Sequence, residues 1–170
     1  VVQLKVSGPV RPLADAFLGI AGLELKIRPL ECADVPFVLE IERLGYSHPW
    51  SEAVFKDCFQ PHYLSYALVQ GECICGYAVV NYVVDEAHLL NLCVHPEMRG
   101  KGAGRRLLRH VAAKAAADGM TQLMLEVRQS NYPASRLYEA EGFIDIGLRP
   151  DYYPGSGERE DARVMALRFA

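Results

Sequence analysis

Apolar positions along this chain switch between two periods, and the switching predicts a mixed fold. Residues 87–94, AHLLNLCV, form a short apolar run stopped by His95-Pro96, the pattern of a buried strand. A glycine-rich basic turn follows at residues 99–104. Leu107, Leu108, Val111, Ala112 and Ala115 then mark one face of a helix, with Gly119 in the C′ position that ends it. Upstream, residues 63–69 and 73–84 read as strands parted by Gln70-Gly71-Glu72. With Asp85-Glu86 as the next turn, the three runs make an antiparallel meander. Residues 25–28 read as a first strand. Asp34 is placed to cap a helix with Pro36 in its first turn and Val35, Val38, Leu39 and Leu44 on its apolar face. Glu40 and Glu42 then fall on the solvated side. Ser51 caps a second helix to about Phe59, with Trp50 placed to staple onto Phe55. Downstream, residues 122–128 read as a strand. Asn131 caps a helix carrying Ala134, Leu137, Tyr138 and Ala140, closed by Gly142. Residues 143–148 and 162–169 are the last strands, joined by a long loop at 149–161 rich in Pro, Gly and charge, the kind of loop that is often functional.

The order β-α-α-β-β-β-α-β-α-β-β predicts a mixed sheet covered by helices, an α+β (α/β layered) fold. At 170 residues one domain is expected, residues 25–170, with residues 1–24 as an N-terminal extension. That extension reads as a tail or surface-packed segment, with a substrate-mimicking or dimer-forming arm as the alternative. It lacks the charged start and long apolar region of a signal peptide. A net charge of −3 argues against a general nucleic-acid or membrane-surface binder, and no apolar run is long enough to span a bilayer. Five cysteines, an odd number, read as reduced thiols of a cytoplasmic protein. No Cys or His spacing suggests a metal site.

The turn at 99–104 has a chemical use. The first N–H groups of a helix point outward at its positive end, glycines 100, 102 and 104 clear the approach, and Arg99, Lys101, Arg105 and Arg106 add charge. It is a candidate pyrophosphate cradle, or else a flexible basic turn. It is neither a P-loop nor the dinucleotide fingerprint.

Arg99-x-x-Gly102-x-Gly104, directly after a strand ending Leu92-Cys93-Val94-His95-Pro96, resembles the acetyl-CoA motif of the GCN5-related N-acetyltransferases (GNAT). Leu125-Glu126-Val127-Arg128, Ser130-Asn131, Leu137-Tyr138-Glu139-x-x-Gly142-Phe143, Tyr152-Tyr153-Pro154 and Glu160-Asp161-Ala162 follow in order. That series is similar to one branch, the bacterial ribosomal-protein-alanine N-acetyltransferases, and the resemblance covers roughly residues 25–170. It implies a GNAT fold: a mixed, mostly antiparallel sheet whose central parallel strands splay to admit the pantetheine arm of acetyl-CoA. The arm would meet the backbone of Leu92, Cys93 and Val94. The pyrophosphate would meet Arg99, Gly100, Lys101, Gly102, Ala103, Gly104 and Arg105. Asn131 would touch the pantetheine, although by itself it reads equally as a helix cap.

The resemblance also implies acetyl transfer from acetyl-CoA to a protein N-terminus, the N-terminal alanine of a small-subunit ribosomal protein, by direct attack in a ternary complex. Glu126 is the candidate base; its neutral alternatives are a solvated strand residue or a partner for Arg128. Tyr138 is the candidate acid, otherwise a core tyrosine. Trp50, Tyr152 and Tyr153 are candidate walls of the acceptor site, with a helix staple and ordinary hairpin cover as the bland readings. Two rival functions remain open at this point. One is acetylation of a lysine or small-molecule amine; the other is a catalytically silent acyl-CoA-binding domain.

Overall fold

The computed structural model describes residues 24–155 and 157–170, so the expected extension lies, apart from Glu24, outside the described residues. The chain runs β1 (Leu25–Pro29), α1 (Val35–Gly45), α2 (Glu52–Asp57), β2 (Tyr63–Gln70), β3 (Cys73–Val83), β4 (Glu86–Val94), α3 (Ala103–Ala117), β5 (Gln122–Arg128), α4 (Tyr132–Ala140), β6 (Ile144–Tyr153) and β7 (Glu160–Arg168). Two 3₁₀ turns, Cys32–Asp34 and Pro96–Met98, complete it. This is the predicted order. The seven strands form one mixed sheet in the order β1-β2-β3-β4-β5-β7-β6. β1 to β4 pair antiparallel, β4 and β5 run parallel, and β7 lies antiparallel between β5 and β6.

Periodicity explains the layers. In β5, Leu123, Leu125 and Val127 are buried while Gln122, Met124, Glu126 and Arg128 are half-buried on the other face. The buried set joins Leu107, Leu108, Val111 and Ala115 of α3 and Tyr138 of α4 in one core. A second core on the opposite face packs Val35, Val38 and Ile41 of α1 and Phe55 of α2 onto Ala67, Tyr77 and Val79. Each fully buried Leu, Ile or Phe contributes about 1.5–3 kcal/mol relative to exposure.

Three expectations need correction. Asp34 does not cap α1 through its side chain. It sits in helical backbone, and its carboxylate takes the Glu31 N–H (2.9 Å) and pairs with Arg28 (2.6 and 2.8 Å), closing the preceding 3₁₀ turn. On α1, Leu44 is 55% exposed and Glu42 is 1% exposed, the reverse of the expected faces. The stripe through 35, 38 and 39 continues at 42, the i+7 position, so the helix turns a carboxylate into the interior. Lastly, β6 runs on to Tyr153 and β7 starts at Glu160, so the expected long loop shrinks to residues 154–159. Pro150 hid the strand; β6 is an edge strand, where a missing N–H costs no ladder bond.

Candidate active site

β4 and β5 pair only from Glu86↔Gln122 to Leu89↔Leu125. At that point β4 slips against β3: Val80 faces Leu89 while Val79 faces Asn91, leaving Leu90 as an extra residue. A bulge bends its strand. Beyond it Asn91 to Val94 stay on β3, Glu126 to Arg128 stay on β7, and the two parallel strands part. The gap opens into a cleft of about 550 Å³, within the usual size of a small-molecule site.

Each wall comes from a different element. β4 contributes Asn91 and Leu92, and β5 contributes Glu126. Tyr138 comes from α4 and Tyr153 from the end of β6, while Glu42, Tyr46 and Trp50 come from α1 and the turn after it. Trp50 meets Phe55 at 5.4 Å between ring centroids, so it both staples α2 and lines the cleft. Glu126 is directed into the cleft by strand alternation and pairs with Arg149 (3.0 Å), not with Arg128. Arg128 instead bonds Glu160 and the Pro154 carbonyl and lies over the Tyr153 ring. Tyr153 donates its hydroxyl to the Glu126 carbonyl (3.0 Å), which fixes the hairpin against β5. Tyr152 stands outside the cleft lining, 40% exposed, edge-on to Tyr153 and beneath Arg149.

Tyr138 is buried against Phe143, and burial, followed by the nearby Cys93, pushes its phenol up to about 12. It is a protonated hydroxyl throughout the neutral range. Cys93 turns away from the cleft toward the Ile41 carbonyl in the α1 core. Burial and the Glu42 charge push its thiol up to about 12, so it holds no thiolate with which to attack an acyl group. Asn131 accepts from the Ala134 N–H (3.3 Å) as the cap of α4 and also lines the cleft.

Past the cleft, β4 leads through Val94 and the 3₁₀ turn to the cradle. Gly100 and Gly102 have φ of +71° and +80°, which glycine adopts without strain, and a Cβ built on either meets nothing within 4 Å among the described residues. Gly102 caps α3 with no side-chain cap bond, and no acidic residue sits in the first turn. The first intrahelical bond runs from Arg106 N–H to Gly102. The N–H groups of the turn before it are therefore the unpaired donors of the helix end. Ala103 is buried, and Gly104 packs against Leu137, Val94 and Leu92. Lys101 is exposed. Arg105 pairs with Glu141 (2.9 Å), which Arg109 also binds, so α3 is tied to the end of α4. Arg99 turns its guanidinium back toward Gly45 and the Cys93 thiol. The cradle fits a pyrophosphate by its open glycines and unpaired backbone donors.

Three cleft residues had no place in the sequence-based site. Tyr46 donates to the Leu92 carbonyl (2.9 Å) inside the splay, on the backbone expected to meet pantetheine. Glu42 receives the Trp50 N–H (2.8 Å), the Tyr77 hydroxyl and the Asn91 amide (3.3 Å). Burial and the Glu42 charge drive the Tyr77 phenol far above its ordinary value, so it stays a donor. Asn91 is the third. The signal for Glu42 was present in the α1 stripe; Tyr46 and Asn91 carried none.

Among the described residues no cluster of His, Cys, Asp or Glu is arranged to hold a metal, and no helix is long and apolar enough to cross a membrane. Residues 34–143 match the model of the Acetyltransferase (GNAT) family. The chain is 40% identical over 141 residues to the ribosomal protein bS18-alanine N-acetyltransferase of Escherichia coli (strain K12), covering 83% of this chain and 95% of that protein. It is 38% identical over 141 residues to the same-named protein of Haemophilus influenzae, covering 82% and 96%. The crystal structure of the ribosomal-protein-S18-alanine N-acetyltransferase from Escherichia coli matches with a TM-score of 0.81 and 39% identity, over 85% of this chain and 94% of that one.

Proposed function

The chain belongs to the GNAT acetyltransferase family and is an acetyl-CoA-dependent N-acetyltransferase, and from that premise we propose that it acetylates the N-terminal alanine of ribosomal protein bS18 in the cytoplasm. The observation that carries the reading is that Glu126 and Tyr138 line one cleft at the splay, in a chain closely similar to bS18-alanine acetyltransferases. Acetyl-CoA supplies an acetyl group activated as a thioester. Its pyrophosphate would be held by the backbone N–H groups around Gly102 and Ala103, and its pantetheine by β4 between Leu92 and Val94.

The rest of the chemistry belongs to this chain. An α-amine has a reference pKa near 7.7–8.0 against about 10.4 for lysine, so roughly a tenth of it is neutral at pH 7. A weak base suffices for such an acceptor, and Glu126 is that base, acting on the amine directly or through one water. Arg149, on the β6 edge, holds the Glu126 carboxylate in the cleft wall. Tyr138 presents a protonated hydroxyl to the departing sulfur. With Cys93 turned away from the cleft toward the Ile41 carbonyl, transfer proceeds by direct attack of the amine, without an acyl-enzyme.

The test is a peptide panel assayed by thiol release, with the acetylated atom located by mass spectrometry. A peptide beginning with the alanine of bS18 should be acetylated at its α-amine, and an N-blocked version containing lysine should be inert. Glu126→Gln should cost about 10²–10⁴-fold near neutral pH, with part of the rate recovered as the pH rises and the amine deprotonates unaided. Efficient acetylation of the blocked peptide would overturn the acceptor, and an unaltered pH–rate profile in Glu126→Gln would remove the base.

A further inference from the structure

Glu42 is a buried carboxylate with no ion-pair partner among the described residues. Its carboxylate is 1% exposed, its described partners are the neutral Trp50 N–H, Tyr77 hydroxyl and Asn91 amide, and it joins none of the ion pairs among the described residues. All three contacts ask the carboxylate to accept, the pattern of an ionised group. A buried charge of this kind is costly unless an opposite charge joins it. Asn91 adds a second unmet demand. A carboxylate cannot donate, so the Asn91 NH₂ must face Glu42, and the amide oxygen is turned the other way. That oxygen, Oδ1, is buried and has no hydrogen-bond partner among the described residues. Such orphans are rare in native proteins and call for an explanation. Both residues line the cleft that holds Glu126 and Tyr138. A negative charge behind a low-dielectric wall concentrates cations at that wall.

We propose that Glu42 and Asn91 form the receptor for the acceptor's N-terminal ammonium. Asn91 Oδ1 accepts one N–H, and Glu42 supplies the opposing charge behind it. The ammonium docks there before Glu126 takes its proton, so binding and deprotonation fall to different carboxylates. The inference rests on the α-amine reading above and adds a specificity-determining pair to it.

The test deletes the charge from either side. Enzyme saturated with CoA, which carries no acetyl group, is titrated with an alanine-terminated peptide and with its desamino analogue, in which propionyl replaces the alanine. The wild type should bind the amine form about tenfold more tightly, the value of one hydrogen bond to a charged group. In Glu42→Gln that ratio should fall to about one while the desamino peptide binds as before. Asn91 can flip its amide to receive the glutamine NH₂, so the variant has a satisfied alternative. Asn91→Leu should lower the ratio too, with Glu42 in place. If Glu42 only braced Trp50 and Tyr77, its substitution would weaken both peptides alike and keep the ratio. A ratio near one in the wild type, or a ratio that survives both substitutions, overturns the proposal; should Glu42→Gln fail to fold, the wild type and Asn91→Leu decide. Should the wild type fail to acetylate the alanine peptide, the acceptor reading falls and this inference with it. Normal acetylation with a surviving ratio removes this inference alone.

Discussion

Tyr138→Phe removes one oxygen from the cleft wall and leaves the ring against Phe143 in place. The size of its effect follows from the environment of the hydroxyl. Burial, then Cys93, pushes the phenol up to about 12, whereas a thiol has a reference value near 8.5. The phenol thus holds its proton more tightly than a free thiolate would. On the proposed mechanism the hydroxyl would act as a hydrogen-bond donor to the sulfur as negative charge develops, with the proton shared and not surrendered. A hydrogen bond to a charged partner is worth about 1.5–3 kcal/mol, or roughly 10–150-fold in kcat. That lies at or below the bottom of the range for general acids, about 10²–10⁴-fold. The loss should fall on kcat, with acetyl-CoA affinity unchanged, because the bond strengthens only as the sulfur departs. The raised value also sets a sign: protonation persists to higher pH, so wild-type kcat should hold through pH values of about 10, where an ordinary tyrosine is half ionised. Thiol release measured against acetyl-CoA concentration and pH tests both statements. Full turnover by Tyr138→Phe would return the residue to a packing role. A wild-type rate falling with a midpoint near 10, abolished in the phenylalanine variant, would refute the raised pKa and the sharing argument with it.

Two further outcomes are expected. Gly102→Val places a β-branched side chain at φ +80° in the open space of the cradle; the folded variant should lose most of the rise in melting temperature that acetyl-CoA gives the wild type, and an unchanged thermal shift would remove the cradle. Val84, 94% exposed at φ +57° in the β3–β4 turn, is a β-branched residue in left-handed backbone. Val84→Gly should raise stability by about 1 kcal/mol, read as a higher urea midpoint at constant slope; an unmoved midpoint would show that the turn bears no strain.

The fold was legible because its elements obey one period each. β5 alternates strictly, α3 keeps its apolar stripe, and Asn131 and Gly119 stand where helix ends need them. The meander followed from two short turns between apolar runs. Pairing order beyond it was not legible by periodicity: that β7 lies between β5 and β6 depends on contacts far apart in sequence. The errors have physical causes. Residue type puts Glu42 on the solvated face and Leu44 on the apolar one, but position 35+7 lies on the buried stripe, and in this helix period outranks polarity. Pro150 and Asp151 looked like a loop because an edge strand with a bulge tolerates both a missing donor and a positive φ.

That bulge explains why the site needed three dimensions. Between Arg149 and Tyr153 the β6–β7 register shifts, with Asp151 at φ +51° and its N–H held by Asp161 (2.9 Å). Arg159 clamps the Asp151 and Tyr152 carbonyls, which fixes the displaced residues. From the two ends of this segment Arg149 reaches the Glu126 carboxylate and Tyr153 reaches the Glu126 carbonyl, while Tyr152 is left outside the cleft. From Arg149 to Tyr153 the edge strand advances four residues against two on β7, and the two ends of that bulged segment hold both ends of the candidate base. Neither contact is encoded near Glu126 in the chain, since its partners lie 23 and 27 residues away. The residue types at Leu125-Glu126-Val127 specify a strand with a carboxylate on its open face; what holds that carboxylate in the cleft is written in the hairpin.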